Sequence, residues 1–110
     1  MPDVITNRRN WPRYAVVLSA ELVELVTNTT ITAQSSEISR CGCYIDTLNP
    51  LPVASQLKIQ LRRGDDVFEA TARVAYLCPG LGMGLNWGTH GAPEELTILD
   101  RWLLEAARSG

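Results

Sequence analysis

The sequence has little of what a metal site or a disulfide-bonded domain would need. It contains three cysteines, Cys41, Cys43 and Cys78, and one histidine, His90. Three cysteines are too few for a disulfide framework, so we expect them to be reduced. A structural zinc site takes four ligands, and Cys41 and Cys43 are better explained as small buried side chains that point the same way from a strand. The sequence predicts no metal site, no cofactor and no catalytic role for His90.

Long apolar runs and an excess of positive charge are also missing. No apolar run approaches the roughly 18–20 residues of a membrane-spanning helix. The first residues, MPDVITNRRNWPR, contain no hydrophobic segment of the kind that marks a secretory signal. We therefore expect a cytoplasmic protein without membrane insertion. The formal net charge of −2 argues against a partner that is a nucleic acid polymer.

The basic residues that are present lie close together near the N-terminus. Nine of the ten are arginines, and Arg8, Arg9 and Arg13 fall within six positions. A guanidinium offers a planar fork of donors and a face that stacks on rings, so this cluster favours a small, planar, anionic ligand. The alternative is a solvated run of terminal charge. Residues 1–13 are predicted to form a flexible, extended arm, because Pro12 blocks a helix there.

Residues 14–110 have the pattern of one β-rich domain that ends in a helix. Strands are predicted at Tyr14–Leu25 (one strand or two), Thr27–Ile38, Cys43–Asp46, Leu57–Leu61, a returning strand that ends before Pro79-Gly80, and Met83–Trp87. A hairpin turn at Gly64-Asp65-Asp66 joins the fourth strand to the fifth. The fifth strand is expected to place Ala70, Ala72, Val74, Tyr76 and Cys78 on one face. The fold class is all-β with one C-terminal helix, in a six-stranded antiparallel barrel.

The helix is predicted over about residues 93–108. Pro93 suits a first helical position and acidic residues follow it. An apolar stripe runs along one side, with Trp102 beside it, and consists of Leu96, Leu99, Leu103 and Ala106. This stripe can serve the core of the domain or a homodimer, and the pattern leaves both open.

Two short motifs and a later glycine-rich strand resemble the signatures of the PilZ family. The segment Arg9-Asn10-Trp11-Pro12-Arg13, preceded by Arg8, is similar to an RxxxR motif, and Glu37-Ile38-Ser39-Arg40-Cys41-Gly42 is similar to a [D/N]xSxxG motif. Gly82-Met83-Gly84-Leu85-Asn86-Trp87 resembles the family's GxGxxF strand. The resemblance extends from Arg8 to about Leu104. It implies a barrel on whose outer face the arm and the second motif hold cyclic di-GMP.

The resemblance also implies roles for residues of this chain. Arg9 and Arg13 would hold guanine and phosphate, with Arg8 and Arg40 as further ligand-binding arginines. Ser39 would bond the ligand backbone, and Gly42 would give the turn a conformation closed to other residues. Glu37 stands where the family has Asp or Asn. Its carboxylate can reach guanine, or it can pair with Arg13 or Arg40 and occupy the site.

Three functions follow as hypotheses. The first is a receptor that binds cyclic di-GMP and passes the signal to an effector protein. The second keeps the fold but acts through protein contacts alone, which the Glu37 replacement favours. The third, an enzyme on a related flavin-binding barrel, ranks last because no phosphate-cradling glycine loop, nucleophile–base pair or metal set is present.

Overall fold

The computed structural model describes residues 12–88 and 93–109. The predicted arm up to residue 11, with Arg8 and Arg9, lies outside the described residues, and so does His90. The elements are β1 (Leu18–Glu24), β2 (Thr30–Ile38), β3 (Gly42–Asp46), β4 (Gln56–Arg63), β5 (Asp66–Cys78), β6 (Gly82–Asn86) and α1 (Pro93–Ser109). The six strands form a closed barrel in the order β1-β2-β3-β6-β5-β4, and every neighbouring pair is antiparallel. The predicted fold class is confirmed.

Alternating side chains fill the interior of the barrel. The predicted alternation of β4 is confirmed, because Leu57, Ile59 and Leu61 are fully buried while Lys58 between them is exposed. β4 turns into β5 at Gly64, whose φ of +61° is a backbone conformation that favours glycine. The alternation of side chains along the strand thus gives β4 an apolar face inside the barrel and a polar face outside it.

α1 covers the barrel with the apolar stripe predicted for it. Leu99 and Trp102 are completely or almost completely buried. Two ion pairs beside them join the helix to the β4–β5 hairpin, Arg63 to Glu105 at 2.5 Å and Asp66 to Arg101 at 2.6 Å. A single chain therefore buries the centre of this stripe in its own core. Of the two alternatives for Trp102, the structure supports the core.

A β-bulge in β5 corrects the predicted face of that strand. The pairing with β6 shifts register between Val74 and Tyr76. A bulge inserts one extra residue, so the side chains beyond it change faces. Ala72 and Val74 are buried as expected, but Tyr76 is exposed on the outer side and Leu77 packs on the core instead. The placement of Tyr76 and Cys78 on the same face as Val74 was therefore wrong.

None of the helices that the structure describes is long and apolar enough to cross a membrane.

Candidate functional site

A groove on the outer face of the barrel brings parts of both motifs together. It has a volume of about 80 Å³ and lies where β2, β3, β5 and β6 adjoin. Arg13 of the first motif lines it, as do Glu37, Ser39 and Gly42 of the second. We call this site the motif groove. Of the seven predicted site residues, four line it, Arg40 does not, and Arg8 and Arg9 lie outside the described residues.

Arg13 and Glu37 form an ion pair at the motif groove. Their nearest side-chain atoms, Nη1 and Oε1, are 3.7 Å apart, and both side chains are about half exposed. The backbone positions the pair, because Tyr14 N–H donates to the Ile38 carbonyl at 2.8 Å and Ile38 N–H donates to the Tyr14 carbonyl at 2.9 Å. An ion pair this exposed contributes at most about 1 kcal/mol. A ligand could therefore replace it at small cost.

Ser39 lies at the start of the turn between β2 and β3, where the second motif was expected. Its side chain is nearly buried. Its hydroxyl donates to the Gly42 carbonyl at 3.3 Å and accepts from Cys41 N–H at 3.3 Å, while its own N–H donates to the Gly42 carbonyl at 2.8 Å. These bonds give Ser39 a role in shaping the turn. Contact with a ligand stays a prediction.

Position 42 has no room for a side chain, and this is why it is a glycine. The predicted reason, a backbone conformation closed to other residues, was wrong. The φ of Gly42 is not in the positive region, so the turn does not require glycine for its backbone conformation. A Cβ added at Gly42 would instead overlap the carbonyl oxygen of Leu85 on β6. A glycine at this position lets β3 begin directly against β6, which forms the adjacent wall of the groove.

Arg40 is directed toward the helix. Its guanidinium lies 3.3 Å from the carboxylate of Asp100 on α1. Its backbone carbonyl accepts a hydrogen bond of 3.0 Å from the indole N–H of Trp87, and the neighbouring Cys41 carbonyl accepts from Trp87 N–H at 2.8 Å. The turn of the second motif is thereby fastened to β6 and to α1.

Two tyrosines that sequence reasoning missed form a wall of the motif groove. The rings of Tyr44 and Tyr76 are 6.3 Å apart and tilted by 33°. The Tyr76 ring lies where a Cβ at Gly84 would be, and the Tyr44 ring lies against Gly82 in the same way. A signal was present in the sequence, because glycines two apart on one strand expose a bare outer face on which rings can rest. The β5 bulge, which turns Tyr76 outward, left no such signal.

Tyr44 stays a neutral phenol over the whole physiological pH range. A hydrogen bond with Cys78 is the main cause that raises the pKa of Tyr44 to about 12, and partial burial and neighbouring groups add to it. Tyr44 thus presents an uncharged aromatic face to the groove. Such a face suits a planar ring as a stacking partner.

The cysteines are free thiols. Burial raises the pKa of Cys43 to about 12, as expected for a small core side chain. Cys41 differs from the prediction, because it precedes β3 in the turn and is only half buried. In the part of the chain that the structure describes, no group of three or more histidine, cysteine or carboxylate side chains could hold a metal ion.

Comparison with known proteins gives one consistent family. A family model described as "PilZ domain" matches residues 7–105. The PilZ domain of YcgR from Escherichia coli with c-di-GMP has a TM-score of 0.72 at 17% identity, covering 93% of each chain. The PilZ domain of CeSA from a cellulose-synthesizing bacterium has a TM-score of 0.64 at 14% identity, covering 86% of this chain and 96% of the other.

A third similar structure is the Bacillus subtilis inhibitor of motility MotI/DgrA. Its TM-score is 0.66 at 19% identity, and the match covers 87% of this chain and 52% of that protein. Identities this low show a shared fold. No curated protein sequence matches significantly.

Proposed function

Because the chain belongs to the PilZ domain family, we propose that it is a bacterial receptor for cyclic di-GMP that relays the signal by protein contact. The observation that carries the proposal is the meeting of Arg13 and Glu37, one from each motif, at one groove. PilZ domains are receptor or adaptor modules, so no catalytic residue is assigned. The cytoplasmic location expected from the sequence is part of this proposal.

The residue types at the groove suit the chemistry of a guanine dinucleotide. Guanine offers the acceptor pair O6 and N7, which an arginine fork binds in bidentate fashion. Its N1–H and N2 amino group are donors, for which the Glu37 carboxylate is an acceptor. Phosphate oxygens take charge-assisted bonds from arginine. We assign Arg13 and the preceding Arg9 to guanine and phosphate, Glu37 to the guanine donors, and Ser39 to a phosphate oxygen.

The groove is small for a whole dinucleotide. Pockets for drug-sized ligands measure roughly 300–1,000 Å³, against about 80 Å³ here. We infer that the groove takes one part of the ligand, with a base lying against Tyr76 and Tyr44. The segment that carries Arg8 and Arg9 adjoins Arg13 in sequence and would supply the opposite wall. Ordering of that arm on the ligand would then alter the surface offered to an effector.

A second candidate function has a specific observation in its favour. Glu37 already pairs with Arg13, which is the arrangement expected if the carboxylate occupies the site itself. The chain would then be a PilZ-fold interaction module with weak binding of cyclic di-GMP or none. The two candidates differ in their affinity for cyclic di-GMP, which can be measured directly.

Calorimetric titration of cyclic di-GMP separates them. We expect binding by the wild type, a loss of about 10- to 100-fold in affinity for Arg13→Ala because a bidentate contact is removed, and loss of detectable heat when Arg9→Ala is added. Arg62→Ala is the matched control, since Arg62 is an exposed arginine on β4 away from the groove. Absence of binding by the wild type, or equal effects of Arg13→Ala and Arg62→Ala, would contradict the receptor.

A further inference from the structure

The end of the barrel opposite α1 and the turn between β2 and β3 is built from loops that contain no charged residue. Three connections meet there, namely residues 25–29 between β1 and β2, 47–55 between β3 and β4, and 79–81 between β5 and β6. We call this surface the far end. None of the ten basic and twelve acidic residues of the chain lies in these loops. The Glu24 carboxylate, at the end of β1, bonds to Thr27 in the first of these loops, but Glu24 is only 8% exposed, so the loops themselves present uncharged residues to solvent.

The far end also gathers apolar side chains in contact with solvent. Leu25, Val26, Leu48, Val53 and Leu81 lie there, with exposures between 48% and 88%. They are five of the eight large apolar side chains that are exposed in the described residues. Single exposed apolar residues need no explanation, but several of them on loops at one end of the barrel indicate an interaction surface.

Backbone hydrogen bonds hold the three loops to one another and to the barrel. Thr47 N–H donates to the Leu81 carbonyl at 3.1 Å, so Leu48 follows directly beside Leu81. Leu25 N–H donates to the Gln56 carbonyl at 3.0 Å, and Ala54 N–H donates to the Val74 carbonyl at 2.9 Å. The apolar side chains are therefore presented on a preformed surface. Docking on such a surface costs little ordering entropy.

We propose that the far end is the interface at which a second copy of this chain docks, with a two-fold axis relating the copies. A charge that is buried without a partner is costly at an interface, so the surface that covers the far end must itself be uncharged. The far end of a second copy meets that condition, and in a two-fold dimer each patch covers the other. The stripe of α1, which the sequence left open for a dimer, already has its centre at Leu99 and the adjacent Trp102 buried within one chain.

Chemistry at the far end disfavours a lipid surface as the occupant. Attachment to an anionic membrane uses lysine and arginine, and the membrane interface is enriched in tryptophan and tyrosine. The three loops contain none of these residue types.

The size of the patch determines how strong the dimer can be. It is smaller than the 20–30 residues that each side of a standard interface contributes, so the dimer is weak and depends on concentration.

Sedimentation velocity on the full chain, from about 1 µM to about 1 mM, tests the proposal. We expect the wild type to shift from monomer to dimer within this range, and Val53→Asp and Leu48→Asp to stay monomeric because each places a charge against its own copy. Val17→Asp is the matched control, since Val17 is 66% exposed, compared with 55% for Val53, but precedes β1 at the other end of the barrel. Thermal melting should show all variants folded, because each side chain replaced is exposed.

Four outcomes would overturn the proposal. They are a wild type that stays monomeric over the whole range, a dimer that survives both far-end substitutions, a dimer that Val17→Asp disrupts equally, and co-sedimentation of the monomeric wild type with neutral phosphatidylcholine vesicles. The last outcome would make lipid the occupant. None of the residues that line the motif groove lies in the three far-end loops, so the dimer can be tested without ligand and with the groove residues unchanged.

Discussion

The guanidinium of Arg40 lies 3.3 Å from the carboxylate of Asp100, so one residue of the second motif holds α1 while its neighbours line the motif groove. The same turn is tied to Trp87, the residue directly after β6, through the bond from the Trp87 indole to the Arg40 carbonyl. A motif whose side chains the family resemblance assigns mainly to ligand binding therefore has two structural roles here. They are the shape of the turn and the attachment of the helix.

Arg40→Ala is expected to reduce stability slightly and to leave ligand affinity nearly unchanged. The ion pair is partly exposed, so its loss should lower the free energy of unfolding by no more than about 1 kcal/mol. Calorimetry with cyclic di-GMP should show a change of less than about three-fold, beside the much larger loss in Arg13→Ala. A loss in Arg40→Ala as large as that in Arg13→Ala would place Arg40 on the ligand.

Glu37→Asp is expected to tighten the binding of cyclic di-GMP by a few-fold. The shorter side chain has one rotor fewer to order on binding, and it withdraws the carboxylate from Arg13, which frees that guanidinium. The measurement is calorimetric titration of the two proteins side by side. Unchanged or weaker binding by Glu37→Asp would remove this carboxylate from the guanine contact.

Gly42→Ala is expected to destabilise the barrel by about 1–3 kcal/mol and to weaken binding at the groove. The added Cβ would overlap the Leu85 carbonyl, and in a packed region the backbone must shift to make room. Gly80→Ala serves as the comparison, because Gly80 has a φ of +74° but open space around it, so only backbone strain opposes its replacement. Denaturant unfolding should rank Gly42→Ala as the more destabilised variant.

Glu24, at the turn between β1 and β2, is expected to contribute to stability in a pH-dependent way. Its carboxylate accepts hydrogen bonds from Thr27 N–H at 2.7 Å and from the Thr27 hydroxyl at 2.8 Å. The bond from the Thr27 backbone is the largest cause that lowers the pKa of Glu24 below its usual 4.5. A lowered folded-state pKa adds stability above the unfolded-state pKa, and that stability is lost as the pH falls through the folded-state pKa.

Glu24→Gln should therefore melt below the wild type at pH 7, and the difference should shrink as the pH falls below about 4. Glu21→Gln, at an exposed position on the same strand, is the control and should differ little from the wild type at either pH. A difference between Glu24→Gln and the wild type that stays constant down to pH 2 would show that the charge of Glu24 is not the cause.

Most of the fold could be read from local patterns. The alternation at Leu57–Leu61, the glycine turn at Gly64 and the helical stripe around Leu99 are signals within a few residues, and the structure confirms them. What local patterns could not supply is the pairing of β1 with β4 that closes the barrel, because that pairing depends on contacts between distant segments.

The candidate site was predicted less completely. The motifs located Arg13, Glu37, Ser39 and Gly42 at one groove. Tyr76 was misplaced because the strand appears regular in sequence while a bulge changes its face. The reason for Gly42 was also wrong, since the obstacle is a carbonyl on β6, some forty positions further along the chain.

Closure of the sheet limits how this domain can evolve new partners. Each of the six strands already has two neighbours, so a partner cannot join by adding a strand to an open edge. Recognition must use side chains on the loops and on the outer faces. Substitutions there can change the choice of partner while the barrel stays the same. The fold can therefore be conserved while the binding surfaces diverge.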